Sequence, residues 1–225
     1  MKKVFLGIGH GGSDPGATAN GFKEKDLNLA IGLACNEELV RHGVNVLMSR
    51  TKDENDPLNE EVKECNNFKP DLAIDIHNNA GGGDGAEAFY HYKGGTSKTL
   101  AANVVNEIVA IGQNSRGIKT RLGSNGRDYY GFIRETVAPA IIVECAFVDN
   151  KKDIQIIDTP EEQKAMGVAI AKGILKTLGI QYIAEKPVDN SIYRVQVGAY
   201  SSKANAENML KKLKAAGFEG FIVKG

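Results

Sequence analysis

Apolar residues in this chain fall into short continuous runs that alternate with stretches of helical spacing. Residues 2–8 pass from two lysines into a β-prone run. Residues 26–42 place Leu27, Ile31 and Ala34 on one helical face, with Asp26 as the expected N-cap and Gly43 as the stop. A short strand is expected over 44–48. Asp56-Pro57 opens a second helix that runs to about residue 68, with proline at its first helical position. Strands follow at 72–76 and 85–92. Residues 96–111 carry Leu100, Val104, Ile108 and Ile111 at helical spacing. The run 140–143 is almost wholly apolar, as a strand buried on both faces requires. A last long helix spans 160–178 and ends at Gly179.

Strands alternating with helices of this length predict an α/β fold: a mostly parallel sheet flanked by helices on both faces. Sites in such sheets form at the carboxyl ends of the strands. The pattern breaks over 181–191, which has no helical period and contains Pro187. Beyond it a strand (192–197), a helix (203–216) and a strand beginning at 220 make one small β-α-β unit. The expected organisation is a catalytic-sized domain over 1–180, a linker over 181–191 and a C-terminal unit over 192–225.

Composition narrows the function classes. The 225 residues carry 28 basic and 28 acidic side chains. A formal charge of zero gives no electrostatic reason to expect nucleic acid or an anionic membrane as partner. Cys35, Cys65 and Cys145 are widely spaced and form no CxxC pair, so they read as buried free thiols. The apolar run after Lys2-Lys3 is too short for a signal peptide, and no window reaches the ~18 apolar residues of a spanning helix. Synthesis in the cytoplasm is expected, with some other agent releasing the protein if it acts outside.

Two histidines follow strands directly: His10 in Gly9-His10-Gly11-Gly12, and His77 in Ile76-His77-Asn78-Asn79. If both strands lie in one parallel sheet, both imidazoles reach the same edge, and neutral imidazole is the commonest zinc ligand. A catalytic zinc needs a third protein ligand and an open position. Glu24, just ahead of the first helix, is the candidate. Glu144 ends an apolar strand, where an unpaired carboxylate is costly, and near a metal it could serve as a general base. Taken singly, His10 also reads as a loop histidine, Glu24 as a solvated charge and Glu144 as half of a buried ion pair. His42, at a helix end, and His91, between two tyrosines, read as structural. Arg134, Glu135 and the loop 123–130 could line a groove.

Together, Gly9-His10-Gly11-Gly12 with Pro15-Gly16, Glu24, Ile76-His77-Asn78-Asn79-Ala80 and Val143-Glu144-Cys145-Ala146-Phe147 resemble the zinc-dependent N-acetylmuramoyl-L-alanine amidases of the Amidase_3 family. The resemblance covers about residues 1–178. It implies that His10, Glu24 and His77 bind Zn2+, that Glu144 is catalytic and that peptidoglycan is the substrate. It implies cleavage between N-acetylmuramic acid and the L-alanine of the stem peptide, most simply by a phage or prophage endolysin. A bacterial autolytic or mother-cell-lysis amidase is the neighbouring reading, and a zinc peptidase acting on cross-links a more distant one. The chain departs from the family at Asp75, where serine is usual. Residues two apart on a strand share a face, so Asp75 is expected to orient a metal ligand.

The tail, from Tyr193-Arg194-Val195-Gln196-Val197-Gly198-Ala199-Tyr200 to Gly217-Phe218-Glu219-Gly220-Phe221, resembles a SPOR domain, a family that binds glycan strands of peptidoglycan. Only one of the two β-α-β halves of such a domain is present. A unit this small buries little core and leaves open strand edges. Two copies are therefore expected to pair through 192–225 as a homodimer.

Overall fold

The computed structural model describes residues 1–185 and 194–224. The chain divides into two compact units, Met1–Ile183 and Ala184–Gly225. The first unit contains, in chain order, β1 (Lys3–Ile8), β2 (Thr18–Ala19), β3 (Phe22–Lys23), α1 (Glu24–Arg41), β4 (Asn45–Met48), α2 (Leu58–Phe68), β5 (Leu72–Asn79) and β6 (Ala86–Tyr90). It continues with α3 (Thr96–Ala110), β7 (Ser115–Lys119), α4 (Gly131–Glu135), β8 (Ala140–Phe147), α5 (Lys151–Ile154) and α6 (Pro160–Leu178). The second unit contributes α7 (Lys203–Ala215).

Six strands form one sheet in the order β4-β1-β5-β8-β6-β7. All neighbours are parallel except β6 and β8. Alternation along the strands sorts the side chains. Leu6, Ile8, Ile74, Ile76 and Val143 join the core under α1, α3 and α6. Phe5, Ala73 and Ile142 pack on the other face with Cys65 of α2 and with Phe132 and Ile133 of α4. The α/β sandwich expected from the sequence is therefore the fold, with helices on both faces. The α2–α4 face is the thinner cover, because α4 is little more than one turn. That thin cover leaves the carboxyl end of the sheet open.

Several boundaries differ from the sequence reading. Helix α1 opens at Glu24, so Glu24 lies in its first turn rather than ahead of it. Lys23 is the N-cap and caps with no side-chain bond, and Asp26 is inside the helix. Pro57 is the N-cap of α2 rather than its first helical residue. Strands β5 and β8 each run several residues past the expected end, because neighbouring strands continue to supply hydrogen bonds; His77 and Glu144 are thus within strands. The expected strand over 85–92 ends at Tyr90, leaving His91 beyond it. Helix α6 matches its expected span, closed at its start by a capping box between Thr159 and Glu162 and at its end by Gly179 in the left-handed region.

In the second unit the expected helix forms. The expected strands do not: residues 194–200 and 218–224 form no ladder among the described residues. A strand needs a partner to satisfy its backbone, and the described residues there supply none. The start of the first expected tail strand and most of the expected linker lie outside the described residues.

Candidate metal centre

The carboxyl ends of β1 and β5 lie side by side, with Gly7 opposite Asp75 and Ile8 opposite Ile76. His10 leaves β1 at φ 62°, a left-handed conformation that is strained for a residue with a Cβ. Its ring meets that of His77 edge-on, with centroids 5.0 Å apart. Gly9 makes this possible, since a side chain there would overlap the His77 ring.

Glu24 stands between the two rings. Its Oε2 is 3.2 Å from His10 Nε2 and its Oε1 is 3.0 Å from His77 Nδ1. The backbone fixes this carboxylate as well. The Ala17 N–H donates to Oε2 at 2.9 Å and the Asn78 N–H to Oε1 at 3.1 Å. Burial opposes the charge on Glu24, but hydrogen bonds from His10 and His77 outweigh it and hold the carboxyl well below the usual range. The far nitrogen of each ring meets an aspartate: His10 Nδ1 lies 2.8 Å from Asp14 Oδ2, and His77 Nε2 lies 3.2 Å from Asp75 Oδ2.

The sequence placed His10, Glu24 and His77 as a metal set, and the fold brings their ligand atoms within 4.8 Å of one another. Two imidazoles and a carboxylate are a donor set used by hydrolytic zinc. The residues fit such an ion: three donors converge on one point, and each histidine has a carboxylate behind it of the kind that orients metal-bound imidazoles.

Glu144 lies directly across from His77, on the adjacent strand β8. Its Oε2 is fully buried and meets no hydrogen-bond donor among the described residues. Burial, reinforced by the carboxylates of Glu24, Asp75 and Glu87, pushes its carboxyl up to about 7 despite the opposing pull of His77. A carboxylate in this state is poised to take up a proton near neutral pH.

Other supports carried no sequence signal. Arg50 is almost wholly buried, and its guanidinium donates to the carbonyls of Ile8, Gly9 and Lys25, clamping the strand end that carries His10 to α1. Asn28 donates to the Gly9 carbonyl at 2.9 Å. Beside the centre lies a cavity lined by His10, His77, Asp75, Glu61 and Tyr130 among others. Of the expected groove residues, Tyr130 faces it. Arg134 instead pins its own loop by donating to the carbonyls of Asp128 and Tyr129. His42 and His91 serve structure: His42 accepts from the Ile183 N–H, and His91 pairs with Asp128.

Residues 4–176 match the family model described as N-acetylmuramoyl-L-alanine amidase, and residues 170–224 match the SPOR domain. The SPOR match begins inside α6, earlier than the motif at 192 suggests. The sporulation-specific N-acetylmuramoyl-L-alanine amidase of Bacillus subtilis is 34% identical over 99% of this chain and 85% of its own length. The endolysin of Bacillus phage SPP1 is 32% identical over 80% of this chain and 67% of its own. Among solved structures, the catalytic domain of CwlV, an amidase from Bacillus (Paenibacillus) polymyxa var. colistinus, is 30% identical and superposes with a TM-score of 0.72 over 80% of this chain and 100% of that one. Fold, site and relatives agree, and the chain belongs to the N-acetylmuramoyl-L-alanine amidases, the peptidoglycan hydrolases that cut between N-acetylmuramic acid and the L-alanine of the stem peptide.

Proposed function

We propose that His10, Glu24 and His77 hold a zinc ion in this amidase and that Glu144 is its general base. The observation that carries the reading is the convergence of three ligand atoms within 4.8 Å, with an unpartnered carboxylate oxygen on the strand facing His77. Zinc, when bound, supplies Lewis-acid polarisation and a more acidic water. The chain supplies the rest. The cavity lined by Tyr130 receives the muramoyl-peptide beside the centre. Glu144 takes the proton from the attacking water and returns it to the departing alanine nitrogen. Its high proton affinity, set by burial, suits both halves of that transfer.

The C-terminal unit holds the enzyme on glycan strands of the insoluble wall, raising its local concentration there. Val195, Phe221 and Val223 are each more than 70% exposed, and α7 buries no residue. Apolar surface of this kind favours pairing of two copies as a homodimer through 192–225. The protein is made in the cytoplasm and reaches the wall after release, as an endolysin does. A mother-cell-lysis role is the second reading, and one observation favours it. The alignment with the sporulation-specific amidase runs over 99% of the chain, whereas that with the phage endolysin covers 80%.

The test is zinc content together with the products formed from purified walls, with and without a chelator. One zinc per chain, activity lost on chelation and regained with zinc, and new N-terminal alanine are expected. Full turnover in metal-free protein would refute the zinc reading. New amines other than that of alanine would point to a peptidase instead.

A further inference from the structure

Behind His77 lies a group that the hydrolytic scheme above does not use. Asp75 and Glu61 are both almost fully buried, at 4% and 5% exposure. Asp75 Oδ2 faces His77 Nε2, but Asp75 Oδ1 meets no donor among the described residues, and neither does Glu61 Oε1. These two orphaned oxygens share one small space. A side chain at Gly7 would overlap Glu61 Oε1 and come within 2.9 Å of Asp75 Oδ1, so glycine in β1 is what makes room for the pair.

Two ionised carboxylates cannot face each other in a buried site without a large electrostatic cost. The arrangement is inexpensive if one proton lies between them, donated by the Glu61 carboxyl to Asp75 Oδ1. Burial, then the neighbouring carboxylates of Asp75 and Asp56, keep Glu61 protonated well above the usual carboxylate range. Asp75 thus faces Glu61 with Oδ1 and the His77 imidazole with Oδ2.

We propose that Asp75, braced by Glu61, is a positioning residue for His77: it accepts the Nε2–H of the ring at 3.2 Å and thereby presents Nδ1 to the metal position beside Glu24. The tautomer of a ligand histidine is set by the hydrogen bond its other nitrogen makes. A carboxylate in that role also raises the basicity of the ligand nitrogen. The orientation follows from the strand itself. Positions 75 and 77 share a face of β5, and the ring leans back along the strand, with Gly9 beneath it offering no side chain to resist.

This inference rests on the zinc reading, and the experiment separates the two. Zinc affinity is measured on the full chain by chelator competition, for the wild type and for Asp75→Ala, Asp75→Leu, Asp75→Asn, Glu61→Gln and Glu61→Leu. In parallel, long-range 1H–15N spectra of zinc-loaded, 15N-histidine-labelled wild type report which nitrogen of His77 carries the proton. The proposal expects protonation at Nε2. It expects about 10- to 100-fold weaker zinc binding on loss of the acceptor in Asp75→Ala and Asp75→Leu. Asp75→Asn keeps an acceptor oxygen and should lose less than either. Glu61→Gln keeps a donor towards Asp75 and should bind zinc more tightly than Glu61→Leu. Wild-type affinity in folded Asp75→Ala or Asp75→Leu, or a proton on Nδ1 of zinc-loaded His77, overturns the positioning role while leaving the zinc reading intact. No zinc binding by the wild type overturns both. If the alanine and leucine variants fail to fold, the wild-type tautomer still decides the matter.

Discussion

The two units of this chain obey the same local rules and reach different ends. In Met1–Ile183 every strand of the main sheet has a neighbour, and Phe5, Ile74, Ile141 and Val143 are completely buried. In the second unit α7 forms from equally good helical spacing, yet it buries none of its residues, and Phe221 is 79% exposed. Helical hydrogen bonds close within one segment, whereas a ladder needs a second chain segment in register. A sequence pattern therefore builds a helix alone but builds a sheet only with neighbours. The chemistry sits where neighbours exist. The carboxyl ends of β1, β5 and β8, each strand with a neighbour on both sides, carry His10 at a strained φ and Glu144 with its Oε2 buried without a donor among the described residues.

The sharpest way to break that division of labour is Glu144→Gln. Loss of the proposed base should slow turnover by about 10²-fold or more, while binding to intact walls stays unchanged. Turbidity clearing and wall pull-down on the same samples measure both, and a parallel loss of wall binding would mean that the catalytic and binding functions are not separable. The same substitution carries a stability prediction. The Glu144 carboxyl is raised to about 7 by burial, above its value in the unfolded chain. Between those two values the folded state binds the extra proton, so its stability falls as pH rises through that window and the deficit is fully present above it. In metal-free protein at pH 8, Glu144→Gln should therefore melt at a higher temperature than wild type. The stabilisation should be on the order of a few kcal/mol, and the difference should vanish near pH 4. For the wild-type enzyme, kcat/KM should fall on the acid side as the base is protonated. A bound cation moves that limb below 7.

A core substitution contrasts the units in stability. Ile74→Ala opens a hole in a strand with neighbours on both sides, where Ile74 has no exposure. The expected cost is about 2–5 kcal/mol, read as a lower denaturant midpoint at constant slope. A cost below about 1 kcal/mol would mean that the sheet is less tightly packed than its burial implies.

The parts of the fold that were legible in the sequence are those whose signal is local or unambiguous. The run Ala140-Ile141-Ile142-Val143 announces a doubly covered strand, and Thr159-Pro160 with Gly179 brackets α6. The candidate site was legible as a set rather than residue by residue: His10, Glu24, His77 and Glu144 stand in distinctive surroundings, and the fold brings the first three together with Glu144 across from His77. The losses have a common cause. His77 and Glu144 look like the ends of strands because they are polar, yet the ladder carries both strands past them. β7, with the sequence SRGIK, shows no apolar alternation because it is an edge strand. Arg50 reads as an ordinary basic loop residue, and only the fold reveals four carbonyls gathered around its guanidinium. Glu61 gave no signal at all, since its significance depends on Asp75, which meets it only through Gly7 of a third segment.

The smallest expected effect lies in the tail, and it tests whether exposure there is an end state or half of an interface. Phe221 is largely exposed in the single chain, so Phe221→Ser should leave the stability of the catalytic unit within about 0.5 kcal/mol. Hydrolysis of a soluble muramoyl-peptide should likewise be unchanged, because His10, Glu24, His77 and Glu144 all belong to Met1–Ile183. What should move is the association state. If two copies bury Phe221, Val195 and Val223 against each other, each loses an apolar anchor on substitution of Phe221, and burial of a phenylalanine contributes about 1.5–3 kcal/mol. With two such sites per dimer, light scattering coupled to size exclusion should show a wild-type dimer shifting to monomer at the same loading concentration. A wild type that is monomeric at every concentration would end the dimer reading. The tail's apolar residues would then have to be explained by the glycan surface they meet on the wall.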